Sequence, residues 1–427
     1  MTQRRSAVTP YRVVLFFATV FALTTLIFLV HSNLFSQRRE FQESDYIMTF
    51  YVAGHLAAGG RADELYPNPD ARSFVDSPFD RAAHALLPNL HKQSTGAYMY
   101  IPLVAGVFAP LSFIDPNWSL LVWQVLSVLA LGACCYLLSH VTQVTSHDMF
   151  FLSFLFAPIF LTLWAGQLGL TFGLLPLCVG YVLVLKQREF IGGLVWSLLL
   201  LKPQFFLAAA FVAITLALMR RHRAFFGMTI GVLALIGLTI LIFGIGPTTQ
   251  WLVSHRVSDA TYSSGLQGIP SHLITGLPAN LMILFPVEQR AAVKLPLYAA
   301  AAVLWIFGLW FCFKLGKSHE DQARHISLSL VIGLFFSSLT LPHLLYYDLC
   351  LLLPVGVLLI ARNGPLSGHI QSRWMAIFGW FVISVFLPLL LAFAKNKVLP
   401  LVLEIILSSL LIALLWHFNR HSQLTRN

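Results

Sequence analysis

The chain alternates long apolar runs with short polar breaks, and many of the runs have bilayer length. A helix rises about 1.5 Å per residue, so roughly 20 mainly apolar residues cross the hydrocarbon core. Stretches of this kind lie at 13–34, 118–139, 149–165, 168–185, 224–244, 293–314, 326–341, 344–361, 374–393 and 398–416. Three further runs carry interruptions: 98–114 is short and holds Pro102 and Pro110, 190–219 is too long for one crossing and breaks at Lys202-Pro203, and 269–285 contains Gly276 and Pro278. The backbone groups freed at such breaks are tolerated at membrane depth only where protein or a water-filled cavity covers them. The pattern predicts an all-α polytopic membrane protein of about 11–13 spans, folded as one domain over residues 1–427 with a large first external loop at 31–97. The run from Val13 to Val30 is longer than a signal-peptide core and lacks a clear small-residue cleavage site, so it is expected to be retained as the first membrane helix.

Composition agrees with the periodicity. Hydrophobic residues make up 58% of the 427 positions and charged residues 10%, against about 45–50% and about 25% in an ordinary soluble domain. A soluble enzyme, a coiled coil and a disordered scaffold are thereby excluded. The formal charge of +10 does not point to nucleic acid, because Lys and Arg occur in short clusters between apolar runs and not along one basic face. Those clusters are Arg4, Arg5 and Arg12, then Lys186 and Arg188, then Arg220, Arg221 and Arg223, then Lys314, Lys317 and Arg324, then Arg362 and Arg373, and finally Arg420 and Arg426. The positive-inside rule places them in the cytoplasm. The 31–97 segment then lies outside, carrying six basic and eight acidic side chains of the 17 acidic residues in the chain. The same parity puts Gly166-Gln167, Lys202-Pro203, the loop from Ile245 to Gly268 and Leu341-Pro342-His343 at the outer face, provided that 98–114 dips without crossing. If it crosses, Gln167 moves inside. All five cysteines sit in apolar runs without metal-ligand spacing and read as core filler.

No Walker A loop, dinucleotide glycine fingerprint, His-Glu-x-x-His pair or nucleophile elbow is present. Chemistry is therefore sought where ionisable groups meet the outer boundary. In helical register Asp45, Thr49 and Ala53 share one face and Tyr46, Phe50 and Ala57 its neighbour, which predicts an amphipathic helix lying on the bilayer and presenting one acid. That acid can serve as a general base for an acceptor hydroxyl, or be a solvated helix-cap carboxylate. His343 follows Pro342 and lies four residues before Tyr347, with Tyr346 and Asp348 adjacent; it is either functional or the cap of a broken helix. Lys202, flanked by apolar residues, either meets an anion such as phosphate or snorkels to the interface. Gly166-Gln167 is a polar break or a turn. His255 and Arg256, near Trp251 and Tyr262, either contact a phosphate or sugar or are solvated.

The order of short motifs over nearly the whole chain resembles the GT-C type, polyprenyl-phosphate-sugar-dependent glycosyltransferases, and within them the alpha-mannosyltransferase-like glycosyltransferase family 87. The matching residues are Asp45 with Thr49-Phe50-Tyr51, Ala53, Gly59 and Leu65-Tyr66; Tyr100-Ile101-Pro102 with Ala109-Pro110-Leu111; Gly166-Gln167; Lys202-Pro203-Gln204; and Leu341-Pro342-His343 with Tyr347-Asp348. A single proline follows Tyr100, Leu341 stands in place of a serine, and Gly169 in place of a common asparagine, which bears on sugar specificity more than on reaction class.

The resemblance implies a GT-C-like bundle with Asp45 as catalytic base and His343 as a second active-site residue. Tyr51, Tyr66, Tyr100, Gln167, Lys202, Gln204, Arg256, Tyr347 and Asp348 form the candidate substrate-binding set. The implied reaction is a direct displacement on a polyprenyl-phosphate sugar, with inversion at the anomeric carbon and a lipid or glycan acceptor. Lys202, His343 and Arg256 would neutralise the departing phosphate. No cofactor is expected, a divalent metal is left open, and membrane lipids rather than nucleic acid are the surroundings. The expected location is the cytoplasmic membrane, with the site facing the exterior or periplasm. A secondary transporter would show paired discontinuous helices in two related halves, and no such symmetry is visible. A lipid-linked glycan ligase or flippase is the other alternative, although a ligase usually carries its large loop late in the chain.

Overall fold

The computed structural model describes residues 10–35, 44–264, 271–316, 321–341, 344–367 and 370–424. Apart from one two-stranded ribbon, its regular elements are helical: α1 (Pro10–Leu34), α2 (Val52–Ala58), α3 (Pro78–Leu86), α4 (Pro102–Phe108), α5 (Pro116–Thr142), α6 (Ser146–Ser153), α7 (Ala157–Ala165), α8 (Leu175–Leu185), α9 (Glu189–Ser197), α10 (Pro203–Leu218), α11 (Arg223–Phe243), α12 (Ile245–Ser264), α13 (Leu277–Ile283), α14 (Val287–Gly316), α15 (Gln322–Thr340), α16 (Leu353–Ile360), α17 (Ile370–Ala392) and α18 (Val398–Leu424). The ribbon pairs β1 (Ile274–Thr275) antiparallel with β2 (Leu344–Leu345), Ile274 opposite Leu345 and Thr275 opposite Leu344. Seven described helices are long and apolar enough to cross a bilayer, or eight if α6 and α7, bent by 73°, form one broken span. The protein is an all-α polytopic membrane protein.

Prolines that look like interruptions in the sequence mostly start helices. Pro102, Pro203 and Pro278 each lie in a first turn, as do the prolines opening α3, α5, α7, α8 and α16. The missing N–H is harmless there, because first-turn amides have no intrahelical acceptor anyway. The 98–114 stretch thus resolves into seven-residue α4 and a 3₁₀ turn over Pro110–Phe113. At about 1.5 Å per residue α4 is about 10 Å long and does not cross.

Five shorter apolar helical stretches accompany the long spans: Tyr46–Ala58, Gly169–Leu185, Glu189–Leu201, Pro203–Leu218 and Tyr346–Ile360. Each has one end at or beside a polar break containing Asp45, Gln167, Lys202 or Asp348. The short helices stop where these breaks meet, so the bundle encloses Gln167, Lys202 and Asp348 and leaves Asp45 exposed at their edge. Contacts also define the opposite end. Tyr11 donates to Asp148 at 2.5 Å, Arg221 Nε donates to Glu189 at 2.8 Å, and the Gln322 and Gln187 amides hydrogen-bond. Arg12, Lys186, Arg188, Arg220, Arg223 and Arg324 lie within two residues of these contacts, so these six basic residues gather at the end away from Asp45.

Three local expectations change. The Asp45 segment is not a surface amphipathic helix: Tyr46, Phe50, Tyr51, Val52, Ala53 and Leu56 are all buried. A π turn over Tyr46–Tyr51 shifts the register after Asp45. Gly54 then lies so close to α4 that an added Cβ would be 2.5 Å from the Phe108 carbonyl oxygen, so protein covers both faces. The expected loop from Ile245 contains α12, whose buried Thr248, Trp251, Ser254, Val257 and Ser258 recur at helical spacing; their small polar members hide the helix from a hydropathy reading. Third, β2 and a 3₁₀ segment over Tyr346–Leu352 precede α16. The two residues Leu344–Leu345 are extended, so the described chain ahead of Tyr346 is not helical.

Candidate active site

Asp45 is solvent-exposed at the start of the π turn, with Ser44 Oγ accepting from the Ile47 amide at 3.1 Å to fix the entry of the chain. Its Oδ2 accepts a hydrogen bond from Gln167 Nε2 at 2.9 Å. Gly166 makes this contact possible in two ways. It adopts φ +68°, and a Cβ there would stand 2.6 Å from both Tyr46 Cβ and Leu120 Cδ1. Only glycine reverses the chain so close to Tyr46 without strain, and the next residue is thereby placed against Asp45. A second π turn, Gly169–Leu174, follows at once. Such turns are rare and frequently mark functional sites; here both adjoin the two hydrogen-bonded partners.

Behind Gln167 lies a buried ion pair. Lys202 ends the 3₁₀ turn Leu198–Leu201 with φ −136° and ψ 78°, outside the helical region as a residue before proline must be. Its side chain is fully buried, and Nζ sits 2.8 Å from Asp348 Oδ1, itself on a carboxyl that is 2% exposed. Longer contacts of 3.4 Å run from Nζ to Gln167 Oε1 and to the Tyr100 hydroxyl. The ammonium thus has one ion-pair partner and two long hydrogen-bond acceptors around it. The rings of Tyr347 and Tyr100 lie 5.3 and 5.6 Å from the cation, within cation–π range. Asp348 Oδ2 accepts from the Leu345 amide at 3.2 Å, and Thr162 of α7 donates to the Tyr347 carbonyl at 2.9 Å. The result is a polar relay from exposed Asp45 through Gln167 and Lys202 to Asp348.

An aromatic layer packs the first loop onto the bundle beside this relay. Phe50 and Tyr100 have ring centroids 5.1 Å apart, Tyr46 and Phe108 5.6 Å, and Phe108 and Trp123 4.6 Å. Tyr66 donates to the Tyr100 carbonyl at 2.5 Å and Tyr51 to the Ile114 carbonyl at 3.0 Å, so both brace the backbone of the site. Burial, with a smaller contribution from Tyr98, pushes the Tyr66 phenol well above its usual range and keeps it a donor.

A family-level match to Glycosyltransferase family 87 covers residues 98–342, more than half of the chain. The chain belongs to glycosyltransferase family 87. It is a membrane glycosyltransferase, and as such acts on a sugar donor and an acceptor. No curated protein and no solved structure matches it. The family match includes Tyr100, Gln167 and Lys202, whereas Asp45 on one side and Tyr347-Asp348 on the other reach the site from outside the matched stretch.

The remaining candidates of this family 87 chain are placed as follows. His343 and Pro342 lie outside the described residues. Gln204, in the first turn of α10, has a buried Oε1 with no hydrogen-bond partner among the described residues. Arg256 is exposed on α12, as is His255, whose ring meets Trp251 edge-on at 5.5 Å. Sequence reasoning missed Thr162, which gave no signal, and Glu404, the sole ionisable residue of the 398–416 run. Among the described residues no three His, Cys, Asp or Glu side chains form a metal-holding group.

Proposed function

We propose that the enzyme transfers a mannose-like hexose from a polyprenyl phosphate to a hydroxyl of a lipid or glycan acceptor, with Asp45 as general base. The observation that carries this reading is the exposed Asp45 carboxylate, held through Oδ2 by Gln167 at the end of a buried polar relay. Gln167 orients the carboxylate without neutralising it, and the acceptor O–H approaches from the exposed side. The acceptor oxygen forms the new bond to the anomeric carbon while the bond to the phosphate oxygen breaks. The bonding pair leaves with the polyprenyl phosphate, and the proton passes to Asp45. A single displacement inverts the anomeric carbon.

In this reading Lys202 serves mainly through Gln167 and Asp348. A direct contact with the donor phosphate requires it to exchange one of its three present partners. Tyr347 and Tyr100 supply ring faces at the same place. The gathering of basic residues at the opposite end of the bundle supports an active site on the outer face of the cytoplasmic membrane.

The test is transfer by the purified protein from synthetic short-chain polyprenyl-phosphate sugars, with product configuration read by NMR and parallel reactions with and without EDTA. Asp45→Asn should cost about 100-fold to 10,000-fold in turnover, because the amide keeps size and some hydrogen bonding but takes no proton. A folded Asp45→Asn enzyme with undiminished turnover refutes the assignment.

A further inference from the structure

Glu404 lies within α18, a helix long and apolar enough to span the bilayer, and its side chain is fully buried. An acid in such a place is costly unless it is used. Its Oε1 accepts the Gly276 amide at 2.9 Å, while Oε2 has no hydrogen-bond partner among the described residues. Gly276 directly follows β1, at φ +108°, and a Cβ on it would be 2.1 Å from the Leu341 carbonyl oxygen. The acid therefore holds a turn pressed against the end of α15, while β1 itself pairs with β2.

The path continues into the polar relay. Leu345 of β2 gives its amide to Asp348 Oδ2, and Asp348 Oδ1 faces Lys202. A ribbon of two residues per strand has almost no stability of its own. Leu344 anchors β2 in the main hydrophobic core and Ile274 packs with Ala279, Ile283 and Met99, whereas the turn that ends β1 is held through its Gly276 amide by Glu404.

We propose that Glu404 is a positioning residue for the transfer reaction: its carboxyl anchors the β1–β2 clip, and the clip sets Asp348 opposite Lys202 and hence the order of Gln167 and Asp45. The proposal rests on the reading that this relay serves transfer. Glu404 touches no reacting atom.

The experiment combines amide hydrogen exchange with kinetics on the full-length protein in lipid nanodiscs. In Glu404→Leu, peptides covering 272–276 and 344–348 should exchange faster while α1 and α5 stay protected, and kcat should fall about 2- to 10-fold, the range expected on losing one ordinary hydrogen bond, with donor KM little changed. Glu404→Gln keeps an oxygen acceptor for Gly276 and should recover both readouts. If the leucine variant does not fold, Glu404→Asp, one methylene too short to reach, should loosen the same two peptides and lower kcat. Unchanged exchange in the clip overturns the proposal, and so does a loosened clip with unchanged kcat and KM. Exchange is measured without donor or acceptor, so lack of transfer by the unaltered protein counts against the proposed chemistry and leaves the clip to be decided by exchange.

Discussion

Removing one member of the Lys202–Asp348 pair should harm the protein more than removing both. The two charges lie 2.8 Å apart with neither side chain more than 2% exposed. At an effective dielectric of about 20 their attraction is about 6 kcal/mol, most of it offset by the cost of taking both ions out of water. The net worth of the pair is therefore small, but the cost of orphaning either charge is not. Lys202→Met leaves a buried carboxylate facing methylenes, and Asp348→Leu leaves a buried ammonium with two neutral acceptors at 3.4 Å. Each single change should cost about 3–5 kcal/mol, whereas the double change should recover most of that loss. Unfolding by SDS titration, followed by tryptophan fluorescence in mixed micelles, gives the four free energies of the cycle. Turnover of the double variant should remain low, since Gln167 loses the ammonium that fixes its amide. Single variants within about 1 kcal/mol of the unaltered protein, with an additive double, would refute the claim that this ion pair is desolvated and mutually dependent.

Other outcomes follow from individual contacts. Gln167→Leu should fold normally and lower kcat about 10- to 100-fold, the equivalent of losing a roughly 1.5–3 kcal/mol hydrogen bond to a carboxylate; steady-state transfer kinetics check it, and unaltered kcat removes Gln167 from the relay. Gly54→Ala should destabilise by about 1–3 kcal/mol, because its Cβ would meet the Phe108 backbone oxygen at 2.5 Å; thermal unfolding in detergent measures the loss. Single cysteines at Asp70 and Arg223, both exposed, in a background with the five buried cysteines replaced by alanine or serine, should react with an impermeant maleimide from opposite sides of intact cells. Equal labelling of both would remove the proposed sidedness.

The spans and breaks were legible because membrane insertion is written locally, as runs of apolar residues ended by polar ones. Asp45, Gly166-Gln167, Lys202 and Tyr347-Asp348 could each be picked out for the same reason: an ionisable or amide side chain is conspicuous in an apolar run. Which of them touch could not be read, since that depends on short helices ending together. Lys202 illustrates the difference. A lone cation in an apolar run requires a partner, and phosphate and carboxylate satisfy that requirement equally well on paper; the fold brings Asp348 to 2.8 Å. The Asp45 helix failed as a pattern because helical register assumes 3.6 residues per turn, and the π turn at Tyr46–Tyr51 departs from it. Glu404 was as conspicuous as Lys202, yet its partner is a backbone amide in a two-residue ribbon, a contact with no side-chain motif. The same features that hide these partners from the sequence also make the site sensitive to distant residues. Asp45 is ordered by an amide, the amide contacts a buried ammonium, and the ammonium is balanced by an acid whose backbone the ribbon holds. Losses of activity should therefore run along this chain of contacts and extend into α18.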